Sequence, residues 1–167
     1  MQFDLKRFFQ NGREPYRGEL SFDLSDYDFP GYRVTNPVTG LFTAAPTMEG
    51  VQIHLEANAQ VETECARCLA PVQEDYRLER DWLVRQQDLE DEWFELPLDE
   101  AGKLDVQELV CEELVVEVPA VLLCSADCQG LCHVCGNPKA TGDCTCCQEG
   151  STTPVDERLA ILKQLLN

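Results

Sequence analysis

Cysteines are the residues of this chain whose type and spacing could do chemistry. The chain has 10 cysteines, and most of them lie between Cys124 and Cys147. At the centre of this run, Cys132 and Cys135 are separated by two residues and followed by Gly136. This spacing lets one tight turn direct both sulfurs at a single ion, and glycine allows the positive φ that such a turn usually needs. The pattern predicts a two-thiolate knuckle, which is half of a metal site.

A tetrahedral site needs two further ligands, and the run offers candidates on both sides of the knuckle. Six cysteines are therefore candidate metal ligands, and the sequence leaves open which four of them bind: Cys124, Cys128, Cys132, Cys135, Cys144 and Cys146. Cys146 and Cys147 are adjacent and poorly placed to share one tetrahedron, so one of them is surplus. Thiolates at these spacings are typical of structural zinc, which is the predicted cofactor.

Two other interpretations of the run are a disulfide framework and buried thiols without a chemical role. Disulfides need an oxidising compartment, whereas the first residues, MQFDLKRFFQNGREP, contain charges and no apolar run before a cleavage site. We therefore expect a cytoplasmic protein. Buried thiols should be spread among apolar residues, but these lie in a polar segment interrupted by glycine and proline. Both observations favour metal binding.

A second C-x2-C pair, Cys65 and Cys68, lies between two predicted strands. Alone it supplies two ligands, so a metal site would need two more from Cys111, a histidine, the tail or a second chain. The alternatives are small residues packed in a turn and a redox pair whose thiolate Arg67 would stabilise. The sequence leaves these three interpretations open. Cys111 is interpreted as a small buried hydrophobic residue.

The elements that must position these cysteines are predicted from hydrophobic periodicity. Apolar residues alternate with polar ones over 51–61 and again over 72–84, which predicts a hairpin of two long strands with the Cys65 and Cys68 pair at its tip. The first ~48 residues predict short strands joined by turns. Residues 86–104 are too acidic and too irregular for a buried element and predict a long loop.

Helices are predicted on both sides of the cysteine run. Asp105 is a suitable N-cap for a helix near 105–116 that Pro119 would end. We therefore expect an α+β fold: an antiparallel β domain that could close into a barrel, a mid-chain helix, a zinc-binding cysteine loop and a C-terminal helix. The corresponding units are a β-rich domain over 1–123, the cysteine loop over 124–147, and a helix over 148–167 that packs on the domain.

Acidic residues dominate the charge of the chain, whose formal net charge is -18. Between positions 86 and 117 they are opposed by Lys103 alone. This segment is either a solvated loop and helix face or a surface that attracts basic proteins. Direct RNA contact is disfavoured, because binding to phosphates depends on basic residues. No stretch approaches the ~20 apolar residues that span a bilayer, so no membrane association is expected.

Sequence motifs of catalysis are missing from this chain. It has no glycine-rich phosphate loop, no G-x-S-x-G turn and no H-E-x-x-H helix. The adjacent carboxylates Glu112 and Glu113 would point to different sides of a helix. We therefore expect a protein that is not an enzyme. The main alternative is a thiol-disulfide oxidoreductase that uses Cys65 and Cys68.

Three separated features of the chain together resemble one known family. They are Cys65-Ala-Arg-Cys68-Leu69, then the stretch 104–119 leading into 123–136, and finally the segment 156–162. In this order they resemble the YceD family, the large ribosomal RNA subunit accumulation proteins. The resemblance covers roughly residues 50–166.

The resemblance implies a factor of the bacterial cytoplasm or the plastid stroma that is needed for normal accumulation of large-subunit ribosomal RNA. It implies a role in ribosome biogenesis, carried by segment 105–119 and the Cys65 and Cys68 pair, with zinc stabilising the C-terminal lobe. Because the chain is acidic, we expect it to act through a basic ribosomal protein or another assembly factor. A further alternative is a zinc-stapled interaction module unrelated to ribosomes.

Overall fold

The structure is a computed structural model, and it describes residues 1–90, 94 and 96–139. Its strands are β1 (Gln2–Asp4), β2 (Tyr16–Phe22), β3 (Arg33–Val34), β4 (Val38–Pro46), β5 (Val51–Glu64), β6 (Pro71–Val84) and β7 (Lys103–Asp105). Its helices are α1 (Leu5–Asn11) and α2 (Val106–Glu117), and a short 3-10 helix spans Gln86–Glu90. The predicted α+β class with antiparallel sheets is confirmed.

The hairpin of β5 and β6 is the centre of the fold. The two strands are antiparallel along their whole length, from Val51 opposite Val84 to Glu64 opposite Pro71. Every second residue of β5 from Val51 to Val61 is buried, because successive side chains of a strand point to opposite faces. Truncation of a fully buried residue such as Leu55 would cost about 2–5 kcal/mol. The predicted hairpin is confirmed.

The main sheet is open, so the predicted closure into a barrel is wrong. Its order is β2-β4-β5, with β3 on the same side of β5 as β4 and with β6 on the other side. No pairing joins β2 to β6 among the described residues. Closure is unnecessary because α2 and the two-stranded sheet of β1 and β7 contribute their apolar residues to the same core as the main sheet.

Helix α2 is positioned by its cap and by its buried face. The Asp105 carboxylate accepts hydrogen bonds from the backbone N–H groups of Gln107 at 3.0 Å and Glu108 at 3.4 Å, as the predicted N-cap requires. Leu109 and Leu114 are buried in the core. The helix ends immediately before Val118, and Pro119 follows.

Two ion pairs attach α2 to the hairpin. Arg80 interrupts the apolar alternation of β6, and its guanidinium donates to Glu113 at 2.8 Å and to Glu117 at 2.7 Å. Beyond α2, the carbonyl of Leu122 accepts a hydrogen bond at 3.0 Å from the N–H of Ala66 in the hairpin tip. Helix α2 therefore runs along β6 toward the tip, and the chain that follows it is delivered there.

Two short elements differ from the sequence prediction. Helix α1 replaces part of a predicted strand region, and β7 lies in the predicted acidic loop, where its Leu104 pairs with Phe3 of β1. Both elements are too short to show a hydrophobic period. The predicted C-terminal helix lies outside the described residues. Within the described ranges, no helix is long and apolar enough to cross a membrane.

Candidate metal centre

Four cysteine sulfurs meet beside the hairpin tip. The Sγ atoms of Cys65, Cys68, Cys124 and Cys128 all lie within 4.8 Å of one another. The Sγ atoms of Cys65 and Cys128 are 3.8 Å apart, and those of Cys68 and Cys124 are 3.5 Å apart. A tetrahedron of thiolates with metal–sulfur bonds of about 2.3 Å has edges of about 3.8 Å. These four cysteines, which we call the tip centre, could hold a metal ion.

The first pair of sulfurs is directed by a tight turn between β5 and β6. The backbone N–H of Leu69 donates to the carbonyl of Cys65 at 2.9 Å, and the N–H of Cys65 donates to the carbonyl of Ala70 at 2.8 Å. The turn requires Leu69 to adopt a left-handed φ of 61°. That conformation costs a non-glycine residue about 1–2 kcal/mol, which the two long strands that close the turn must offset.

The second pair comes from the segment that follows α2. The N–H of Ala66 donates to the carbonyl of Leu122 at 3.0 Å, and the guanidinium of Arg67 donates to the carbonyl of Cys128 at 2.9 Å. Gly130 has a φ of +73°, and a Cβ atom there would lie 3.1 Å from the carbonyl oxygen of Arg67. The segment is therefore held against the tip by hydrogen bonds and by close backbone contact.

A small hydrophobic cluster surrounds the sulfurs, separate from the main core. Cys65, Cys68 and Cys128 are buried in it with Val72, and Leu131 packs at its side. Cys124 is exposed. Three residues of the tip centre are thus buried, and Cys124 lies at the surface.

Electrostatics indicate that this donor set suits a cation. The N–H groups of Cys124 first, and then of Arg67 and Cys68, lower the pKa of the Cys65 thiol to about 6. Hydrogen bonds with the neighbouring sulfurs, first that of Cys68, raise the pKa of Cys124 to about 12. Sulfurs so close together cannot all ionise without a compensating positive charge, whereas a bound dication deprotonates its thiol ligands. The residues present therefore fit a soft divalent metal ion.

The sequence predicted a single metal site around the Cys132–Cys135 knuckle, but the structure places two of the predicted ligands elsewhere. Cys124 and Cys128 join Cys65 and Cys68, so the pair at the hairpin tip supplies half of a group that could hold a metal ion. Cys132 and Cys135 are described but do not belong to the four-sulfur group. The predicted ligands Cys144 and Cys146 lie outside the described residues. Cys111 is buried in the main core, as expected, and burial raises its pKa to about 12.

Sequence reasoning did not find that the two pairs meet. It recognised that the hairpin pair needed two more ligands and named the tail as one of four possible sources. No local signal connects positions 68 and 124, because their proximity depends on how α2 packs along β6. The signal that could have connected the two pairs is that each of them supplies two of the four ligands that a tetrahedral site needs.

The fold and the tip centre define a class: an α+β protein in which four cysteines join a sheet hairpin to the segment after a helix. The chain belongs to the YceD family, described as large ribosomal RNA subunit accumulation protein YceD, which it matches over residues 53–166. The matched range contains all four cysteines of the tip centre and all of α2. The family name points to a role related to the ribosome.

The chain is also similar to uncharacterized proteins of Mycobacterium bovis and of two strains of Mycobacterium tuberculosis. Each is 33% identical over 99 residues, which are 56% of this chain and 47% of the relative. The matched segment thus spans about half the length of these curated relatives. No solved structure matches the chain significantly.

Proposed function

We propose that this protein is a non-enzymatic accessory factor in large ribosomal subunit biogenesis, needed for the accumulation of large-subunit ribosomal RNA. It acts in the cytoplasm or the plastid stroma through a basic ribosomal protein or another assembly factor. The single observation that carries the proposal is the family match, which includes the tip centre and α2.

The partner surface is the outer face of α2, formed by Glu108, Glu112, Val115 and Val116. These positions recur at helical spacing, and Val115 and Val116 are 43% and 77% exposed. Neither glutamate forms an ion pair within the described part of the chain. Their negative charges, that of Glu108 first, raise the pKa of the nearby Tyr27. An acidic face that ends in exposed apolar residues suits a basic protein better than RNA.

Zinc at the tip centre has a structural role in this proposal. Four thiolates complete the coordination of a structural zinc ion and leave no open position for a substrate. The ion fixes the segment after α2 to the hairpin tip, and so it also holds the C-terminal end of α2 in place. A closed site of this kind supports a non-enzymatic function.

The partner is tested by affinity capture with the full chain as bait in a nuclease-treated extract. A basic ribosomal protein or an assembly factor should remain bound after the nuclease removes RNA. The double variant Glu108→Lys and Glu112→Lys should weaken this capture about tenfold or more, because it reverses the charge of the surface.

A matched control makes the same change in net charge on another part of the surface. Glu19 on β2 and Glu49 after β4 are both exposed, so the double variant Glu19→Lys and Glu49→Lys has an equal net charge and should retain the partner. Loss of every partner on nuclease treatment would contradict the indirect route. Sedimentation of extract should show the protein with large-subunit precursors, and its absence there would favour an interaction module unrelated to ribosomes.

One observation favours a second candidate function, a thiol-disulfide oxidoreductase. The pKa of Cys65 is lowered to about 6, first by the N–H of Cys124, as a nucleophilic thiol requires. However, Cys65 is fully buried, which hinders attack on a protein disulfide. An insulin-reduction assay decides between them, since turnover that Cys65→Ser abolishes would favour the enzyme.

A further inference from the structure

The turn at Cys132–Cys135 repeats the backbone hydrogen bonds of the turn at the hairpin tip. The N–H of Gly136 donates to the carbonyl of Cys132 at 2.8 Å, as the N–H of Leu69 donates to that of Cys65 at 2.9 Å. The N–H of Cys132 donates to the carbonyl of Asn137 at 2.8 Å, and the corresponding bond of Cys65 has the same length. Both turns therefore share one pattern of backbone hydrogen bonds, and at the hairpin tip that pattern accompanies two sulfurs that approach each other.

Two further features are shared by the turns. Gly136 has a φ of +76°, and Leu69, the equivalent residue, has a φ of 61°. The N–H of Val134 lies 3.4 Å from the Sγ atom of Cys132, and the N–H of Arg67 is likewise hydrogen bonded to the sulfur of Cys65. Hydrogen bonds from backbone N–H groups favour the thiolate form that binds metals.

This second turn cannot serve the tip centre. The four sulfurs there already complete a tetrahedron, and Cys132 and Cys135 are not members of that group. The turn has its own support, because Leu131 and Pro138 form a bridge and the N–H of Lys139 donates to the carbonyl of Gly130 at 3.0 Å. The Cys132–Cys135 turn therefore lies on a small ribbon that has its own backbone hydrogen bonds.

We propose that Cys132 and Cys135 bind a second divalent metal ion of the zinc class, independently of the tip centre. A tetrahedral thiolate site needs two more ligands. Cys132 and Cys135 supply two of the four. The proposal does not depend on the ribosomal function.

Metal analysis of the full chain tests the proposal, with zinc as the probe. We expect two zinc ions per chain, falling to one in Cys132→Ser, to one in Cys65→Ser and to none when both changes are combined. Val134→Ala, within the same turn, and Cys111→Ala, in the main core, are matched controls that should retain two. Replacement of zinc by cobalt should give a sulfur-to-metal charge-transfer band that Cys132→Ser halves.

One zinc ion per chain that Cys132→Ser leaves in place would overturn the proposal. Because Cys132 is buried and its replacement could disturb folding, the exposed Cys135 provides a second variant. Loss of one ion in Cys135→Ser with an unchanged circular dichroism spectrum supports a second site, and retention of both ions contradicts it.

Discussion

The two C-x2-C turns of this protein have the same local geometry but different supports. The turn at Cys65 and Cys68 closes two strands of 14 residues each, whereas the turn at Cys132 and Cys135 is closed by a single bridge. The first has Leu69 in the left-handed position, and the second has Gly136. A long hairpin can impose a strained conformation on leucine, while a short ribbon depends on a residue that adopts it without strain.

The largest expected effect is the difference between the two turns in their contribution to the free energy of unfolding. Cys65→Ser removes a ligand that joins distant parts of the chain, so it should lower the free energy of unfolding by several kcal/mol. Cys132→Ser acts within a short ribbon and should lower it much less. Chelator-dependent thermal unfolding of both variants measures the difference.

Local opening provides the control for this prediction. In Cys65→Ser, amide exchange should accelerate at Ala66, whose N–H is bonded to Leu122 across the tip centre. In Cys132→Ser, exchange there should remain slow. If both variants lost the same free energy of unfolding and the same protection of the Ala66 amide, the two turns would contribute equally to stability.

The next effect concerns a contact that only the hairpin turn has. Arg67→Ala removes the hydrogen bond to the carbonyl of Cys128 and leaves all four sulfurs in place. Its loss leaves a partly buried carbonyl without its charged donor, at a cost of about 1–3 kcal/mol. Urea unfolding in the presence of zinc measures this cost. Arg67→Lys should recover part of the stability, and an unchanged midpoint in Arg67→Ala would mean that the metal alone holds the segment.

Opposite changes at the two left-handed positions should have opposite signs. Leu69→Gly relieves about 1–2 kcal/mol of strain and adds about 0.5–1 kcal/mol of chain entropy cost, so it should stabilise by up to about 1.5 kcal/mol. Leu69 is 57% exposed, so little packing is lost. Gly136→Ala should destabilise its turn by about 1–2 kcal/mol through backbone strain, since among the described residues no atom lies within 4 Å of the added Cβ. Urea unfolding tests the first change, and amide exchange at residue 136 tests the second.

The smallest effect lies away from both turns, on α2. Burial, and then the charges of Glu108 and Glu113, raise the pKa of Glu112. A raised folded pKa means that the folded state binds this proton more tightly, so stability is lost as pH rises through that pKa. Glu112→Gln should therefore stabilise by about 0.2–0.5 kcal/mol at pH 7. Below the unfolded pKa of about 4.3, the variant and the original chain should have equal stability.

Thermal unfolding at the two pH values checks the sign. An equal gain at both would mean that the effect of Glu112→Gln is not electrostatic. The result also bears on the proposed partner surface, because a variant that folds at least as well but binds less must have lost a contact and not its fold.

Elements with a long hydrophobic period were predictable from the sequence. The alternation in β5 and β6 and the buried positions of α2 follow directly from one apolar face on each element. The capping role of Asp105 was also predictable, because the side chain and the following backbone are neighbours in sequence. Helix α1, strand β7 and the open form of the main sheet were not predictable. They depend on distant partners and leave no local pattern.

The sequence by itself determined the two turns, because their hydrogen bonds join residues no more than five positions apart, from Cys65 to Ala70 and from Cys132 to Asn137. Only the tertiary structure decided which sulfurs meet in a group that could hold an ion. Arg80 holds α2 along β6, and the chain after Pro119 is thereby brought to the hairpin tip. There Cys124 and Cys128 join Cys65 and Cys68, although Cys132 and Cys135 are nearer to them in sequence. Nearness in sequence is overridden here because the packing of the helix on the sheet sets where the next segment can lie.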